Sequence, residues 1–247
     1  MGWLDRLRGP NGAEAEDVEA AMARAAEAVA RGDHPAALAI WGPLAHAGVG
    51  RAQNNIGACF AEGLGVEPDL ALALRWLTLS AESGDPVGQR NLAALHFRGD
   101  GVEQSDAEAA RLYRLAAGQG DAPAQDMLSW MLLESGRPED RAEALRWAQA
   151  AAEAGVATSM TRLGMIFHDA LGVERDPAAA AGWWRRGMEA GDPDSEAMLG
   201  AATLLGQGVA PDAARALALL LSAEGKGSRL AAPFIKAARA AAAPAGT

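Results

Sequence analysis

The chain is poor in cysteine, in basic residues and in long apolar runs, and each shortage disfavours a class of protein. Its one cysteine, Cys59, cannot form an internal disulfide, which disfavours a small oxidised scaffold. Lysine and arginine total 22 against 32 aspartates and glutamates, and a net charge of −10 disfavours nucleic-acid binding. No window reaches the roughly 18 consecutive apolar residues of a membrane helix, and the start lacks the apolar core of a signal peptide. We therefore expect a cytoplasmic protein.

What the chain does contain is a repeat of 35 or 36 residues. Its first marker is a glycine at Gly48, Gly84, Gly120, Gly155, Gly191 and Gly227, with successive differences of 36, 36, 35, 36 and 36. Eight residues after each glycine stands an aliphatic residue, at Ile56, Leu92, Leu128, Leu163, Leu199 and Ile235. A second series starts from Asp69, Asp106, Asp140, Asp176 and Asp212. Because the aspartates also recur every 34 to 37 residues, in step with the glycines, the chain is an array of repeats.

Each repeat has the spacing of a helical hairpin. Four residues after each aspartate stands alanine, and seven residues after it stands a large side chain, which places all three on one side of a helix. The aspartates are typical N-caps, Pro177 suits the first turn after Asp176, and Asp140 with Glu143 predicts a capping box. The marker glycines predict the left-handed residue that ends a helix. One hairpin cannot bury its own apolar face, so the hairpins are expected to stack.

The large markers of both series form the predicted repeat core. It comprises Leu92, Leu128, Leu163, Leu199, Trp76, Tyr113, Trp147 and Trp183. Small residues recur beside these positions, which lets neighbouring helices approach closely. Gln53, Gln89 and Gln125 stand three residues before the aliphatic marker, and we expect them to form hydrogen bonds between repeats.

The phrases "GLGVEPDLALALRWLTLSAESGD", "GDGVEQSDAEAARLYRLAAGQGD" and "ALGVERDPAAAAGWWRRGMEAGD" resemble Sel1-like repeats (SLR), relatives of the tetratricopeptide repeat. The resemblance implies an all-α fold, a right-handed α-solenoid of stacked antiparallel helix pairs, and the role of a scaffold or adaptor for other proteins. It implies no catalytic residues. The expected organisation is a tail at 1–16, a capping hairpin at 17–48, five repeats at 49–227, and a C-terminal helix with a frayed tail at 228–247.

A candidate binding surface lies on the first helix of each repeat. Positions two before, two after and five after the aliphatic marker lie opposite the core at about 100° per residue. The candidate partner-binding residues at these positions are Arg90, Phe97, Asp126, Trp130, Leu133, Met165 and His168. Exposed aromatic and methionine side chains are typical of recognition surfaces. The same side chains would also suit packing between adjacent first helices, and the sequence leaves both interpretations open.

No catalytic or metal-binding pattern stands out. The four histidines lack metal-ligand spacing, and the recurring aspartates are explained as caps. We therefore expect a non-catalytic protein that binds a protein or peptide, with no metal and no cofactor. Two alternatives remain open: a hydrolytic or small-molecule-binding enzyme that uses His168, Asp169 and Asp126, and a cell-envelope or polysaccharide regulator on the same scaffold.

The opening "GWLDRL" is a candidate amphipathic turn that docks on a membrane or a partner. It comprises one and a half helical turns, which bury too little apolar surface to bind alone. The residues that follow it, up to about Glu16, are rich in glycine and glutamate.

Overall fold

The computed structural model describes residues 18–243, and the regular structure within them is entirely helical. The thirteen α-helices of this range are α1 (Val18–Ala30), α2 (His34–His46), α3 (Gly50–Glu62), α4 (Leu70–Glu82), α5 (Pro86–Arg98), α6 (Asp106–Gly118), α7 (Ala122–Glu134), α8 (Arg141–Glu153), α9 (Ala157–His168), α10 (Pro177–Glu189), α11 (Pro193–Leu205), α12 (Ala213–Gly225) and α13 (Ala232–Ala242). A 3₁₀ turn at Pro138–Asp140 precedes α8. The predicted N-terminal tail, with its "GWLDRL" turn, lies outside the described residues.

The described residues divide into two compact units, 18–124 and 125–243. Within each unit, consecutive helices pack against each other and are joined by short connections, so they run antiparallel. We call α3, α5, α7, α9 and α11 the first helices and α4, α6, α8, α10 and α12 the second helices of their repeats. First helices of neighbouring repeats also contact each other, α3 with α5 and α9 with α11. This stacking of helix pairs confirms the predicted all-α solenoid fold.

Aspartate side chains begin most of the helices, as predicted. Asp69, Asp85, Asp176, Asp192 and Asp212 each accept a hydrogen bond of 2.8 or 2.9 Å from the amide three residues later. Each carboxylate therefore satisfies an amide that has no partner inside the helix, and it lies at the positive end of the helix dipole.

Two second helices begin differently from the prediction. Ser105 caps α6, and Asp106 is its first helical residue. Asp140 has helical backbone angles at the end of the 3₁₀ turn, and its side chain does not cap α8. Its carboxylate instead accepts a 2.7 Å hydrogen bond from the Ser135 hydroxyl. The capping box predicted for Asp140 with Glu143 is therefore wrong, because the short loop before α8 draws the aspartate into the turn.

The marker glycines end helices in the left-handed conformation, as predicted. Their φ angles are between 83° and 97° at Gly48, Gly84, Gly120, Gly155, Gly191 and Gly227. At Gly84 the amide binds the carbonyl of Ala81, and the next amide binds the carbonyl of Ser80. These bonds satisfy carbonyls at the end of α4, and a side chain at such a φ would be strained.

The predicted core residues differ in how deeply they are buried. Leu92, Leu128, Leu163, Leu199, Trp76 and Tyr113 are buried, whereas Trp147 and Trp183 are half-buried. The fully buried indole of this region is that of Trp184, which is 1% exposed. It lies against Gly164, where an added Cβ would be 2.0 Å from the indole nitrogen, and it donates a 3.3 Å hydrogen bond to the carbonyl of Thr161. The missing side chain at Gly164 thus decides which indole is enclosed.

Two of the recurring glutamines join neighbouring helices, as predicted. Gln53 donates to the carbonyl of Ala45 at 3.0 Å and accepts from the Ser83 hydroxyl at 3.0 Å. Gln89 accepts from the Gln119 amide at 2.8 Å. Both glutamines are buried. The bond of Gln53 to Ala45, and a 3.4 Å bond from Gln89 to the carbonyl of Ala81, reach the preceding hairpin, whereas Ser83 and Gln119 belong to the same repeats as their glutamines.

Candidate partner-binding groove

A groove of about 440 Å³ opens on the first helices of residues 125–243. Its lining is Trp130, Leu133 and Glu134 of α7, Thr158, Thr161, Arg162 and Met165 of α9, Leu171 of the following loop, and Asp192 and Asp194 at the start of α11. None of these residues belongs to a second helix. Pockets of about 300–1,000 Å³ are the usual size for bound ligands. We refer to this site as the first-helix groove.

The floor of the groove is apolar. Trp130 and Leu133 are half-buried, and Met165 is 39% exposed. Trp130 and Met165 stand two residues after the core markers Leu128 and Leu163, and Leu133 stands five residues after Leu128. At about 100° per residue, these offsets place the three side chains about 140–200° around the helix from the core markers. Three of the seven predicted binding residues therefore meet in one site. A tryptophan beside a methionine offers both a rigid and an adaptable contact.

An ion pair between two repeats supports the wall of the groove. The Asp126 carboxylate of α7 accepts hydrogen bonds from the Arg162 guanidinium and the Ser159 hydroxyl of α9, and a third, of 3.1 Å, from the Thr158 hydroxyl. The side chains of Arg162 and Asp126 are only 14% and 16% exposed. Asp126 therefore positions the arginine between α7 and α9, and it is not itself part of the lining.

The position two residues before the aliphatic marker does not face open solvent, contrary to the prediction. Thr161 is buried and donates to the Asp192 carboxylate at the start of α11. In the other unit, Arg90 donates to both carboxylate oxygens of Asp121, at 3.0 and 2.9 Å. This position contacts the following repeat because neighbouring first helices lie side by side. The packing interpretation holds at this position, and the other two positions supply the apolar floor of the groove.

The two remaining predicted site residues lie outside the groove. His168 contacts Asp169 through Nδ1 at 2.6 Å and Gln207 through Nε2 at 2.9 Å. Phe97 is half-buried on α5 in residues 18–124. Neither His168 nor Asp169 is among the hydrogen-bond partners of Asp126, which are all on α9 before position 163.

The only cysteine is a poor nucleophile. Cys59 is buried, and desolvation, together with the nearby Glu62 carboxylate, raises its pKa to about 11. Its thiol is therefore protonated at neutral pH. Burial also raises the pKa of Tyr113.

Within residues 18–243, no group of three or more histidine, cysteine, aspartate or glutamate residues is arranged to hold a metal ion. In the same range, every helix is too short or too polar to cross a membrane.

Comparison with known proteins identifies the repeats. The Sel1 repeat model matches residues 50–85, 86–121, 122–156, 157–192 and 193–228. A Sel1 repeat protein from Oxalobacter formigenes is 28% identical, with a TM-score of 0.77, over 84% of this chain and 86% of that one. The protective antigen c5321 of uropathogenic Escherichia coli, which has an SLR fold, is 27% identical, with a TM-score of 0.84 over 92% of this chain. The chain spans 50% of the length of c5321. No curated protein is detectably similar to the chain.

Proposed function

Because the chain belongs to the Sel1 repeat family, whose repeats generally mediate protein interactions, we propose that it is a non-catalytic scaffold or adaptor. Its partner is a protein or peptide, and the first-helix groove is the binding site. The observation that supports this proposal is that Trp130, Leu133 and Met165 lie together on one apolar floor, although Leu133 also packs against the buried core of α8 and α9. Apolar surface of this kind, framed by polar groups, is typical of recognition sites.

The frame of the groove is fixed before any partner arrives. The Asp126–Arg162 pair joins α7 to α9, and the Thr161–Asp192 hydrogen bond joins α9 to α11. A rigid site loses little conformational freedom on binding, which favours affinity. In this proposal Trp130, Leu133 and Met165 contact the partner, whereas Asp126 holds the wall in place.

Affinity capture from the native cell tests the proposal. The bait is the intact chain, compared with variants Trp130→Ala and Met165→Ala. The matched control is Leu205→Ala, which removes an apolar side chain that is 56% exposed on α11 and is not part of the groove lining. We expect the groove variants to recover at least about tenfold less partner, as for central interface residues, and the control to recover the normal amount.

The thermal midpoint of each variant decides between binding and packing. We expect the groove variants to unfold close to the midpoint of the intact chain. A large fall in the midpoint together with normal partner recovery would show that Trp130 and Met165 serve packing, and it would contradict the proposed site.

A further inference from the structure

A second pocket, of about 310 Å³, lies in residues 18–124 between α1, α2 and α3. Ala26 and Val29 of α1 form one wall, and His34 and Trp41 of α2 form another. The remaining lining is Asn55, Ala58 and Cys59 of α3 and Leu64 of the following loop. The pocket is mostly apolar and is separate from the first-helix groove. We refer to it as the α1 pocket.

Trp41 leaves a hydrogen-bond donor unsatisfied beside this pocket. Trp41 is 5% exposed, and its indole nitrogen has no acceptor among residues 18–243. The Nδ1 atom of His34, at the same pocket, also lacks a partner in that range. An indole nitrogen can only donate, so Trp41 requires an acceptor oxygen. Buried polar groups in proteins almost always have one.

The same repeat position elsewhere in the chain shows the satisfied arrangement. Trp41 and Trp184 each stand eight residues after a capping aspartate, Asp33 and Asp176 respectively. The Trp184 nitrogen donates to the carbonyl of Thr161. The missing acceptor is thus particular to Trp41, and it is not a property of the repeat.

We propose that the segment before α1, residues 1–17, binds in the α1 pocket. Trp3, Leu4 or Leu7 of "GWLDRL" fills the apolar space, and a backbone carbonyl of the segment accepts the indole hydrogen of Trp41. The occupant must combine an apolar side chain with an acceptor oxygen, and any peptide segment with large apolar residues has both. This one is favoured because it is covalently joined to a wall of the pocket.

The segment is long enough to reach the pocket. Val29 lies eleven residues beyond Val18 along α1, which is about 17 Å at the rise of an α-helix. The ten residues that separate Leu7 from Val18 span up to about 35 Å when extended. A tether of this kind gives an effective concentration on the order of millimolar, so even weak apolar contacts suffice for binding.

Indole resonances of the full chain provide the first test. The Trp41 signal is assigned with the variant Trp41→Phe, and its solvent exchange is compared between the intact chain and the double variant Trp3→Ala, Leu7→Ala. We expect the Trp41 indole hydrogen to exchange at least about tenfold faster in the double variant, because docking protects it. The control is Trp184, whose exchange is expected to stay the same. Unchanged exchange at Trp41, or an equal change at Trp184, would overturn the proposal.

Photo-crosslinking provides the second test and identifies the occupant. A benzophenone amino acid replaces Trp3 in one sample and Ala13 in a control. We expect Trp3-derived crosslinks within one chain to residues 26–29 and 58–64, and few from position 13. Crosslinks between chains would identify a second copy as the occupant, and crosslinks elsewhere would show that the pocket is not the site; either result would overturn the proposal.

Discussion

Replacing Gly164 with alanine tests how the repeats pack against each other. The added Cβ would lie 2.0 Å from the indole nitrogen of Trp184 and 2.4 Å from its Cδ1 atom. Trp184 of α10 is 1% exposed and packs against Gly164 of α9 and the core residues Leu199 and Ala202 of α11, so its ring has little free space to enter. The indole must shift, and its hydrogen bond to the Thr161 carbonyl is lost.

Three contributions decide the sign of the effect. Forcing a methyl group into a filled core costs about 1–3 kcal/mol. Losing the indole hydrogen bond costs about 0.5–1.5 kcal/mol. Alanine is about 1 kcal/mol better than glycine inside a helix, which opposes both costs. We therefore expect Gly164→Ala to lower the free energy of unfolding by about 0.5–3.5 kcal/mol.

Urea unfolding followed by circular dichroism measures this change. The matched control is Gly182→Ala on α10, where an added Cβ meets no atom within 4 Å. We expect the control to keep or raise the free energy of unfolding, by up to about 1 kcal/mol. If Gly164→Ala stabilises the chain as much as the control does, the close packing of Trp184 on α9 is refuted.

Three further predictions concern buried groups. Trp184→Ala is expected to cost about 3–5 kcal/mol in thermal unfolding, and Trp183→Ala clearly less, because the indole of Trp183 is only half-buried. The pKa of Cys59 is raised from 9.0 to about 11, so between these pH values the folded chain keeps a proton that the unfolded chain loses. The free energy of unfolding should therefore fall as the pH rises from 9 to 11. Urea midpoints measure this fall, and the variant Cys59→Ala should lack the part of it that Cys59 causes. Asp192→Ala should destabilise the chain more than Asp212→Ala. The Asp212 variant loses only a helix cap, worth about 1 kcal/mol, whereas the Asp192 variant loses a cap and also the hydrogen bond from Thr161 of the preceding first helix. Equal urea midpoints of the two variants would contradict this.

The hairpin fold was predictable from the sequence because its signals are local. A capping aspartate and a left-handed glycine act on the backbone within a few residues of themselves, so their positions mark where helices begin and end. Asp140 is the exception, since its short loop changes the local geometry. The choice between Trp183 and Trp184 depended on Gly164, which belongs to another helix, and helical periodicity does not include that contact.

The binding groove was predictable only in part for the same reason. Periodicity gives the direction of a side chain around its own helix axis, which sufficed for Trp130, Leu133 and Met165. It does not show where the next helix lies, so the contacts of Thr161 were missed. Arg162 was also missed, although an arginine one repeat after Asp126 is a signal that could have found it. Asp192 caps α11 and also lies in the groove wall, and a capping position alone does not indicate the second role.

The central claim is that the first helices form the partner-binding surface. Hydrogen exchange of the backbone amides, measured with and without a purified captured partner, tests it most directly. We expect partner-dependent protection at residues 130–134 and 158–165, on α7 and α9, and none on α8 and α10. Protection confined to the second helices, or none in residues 125–243 while the partner is bound, would contradict the claim.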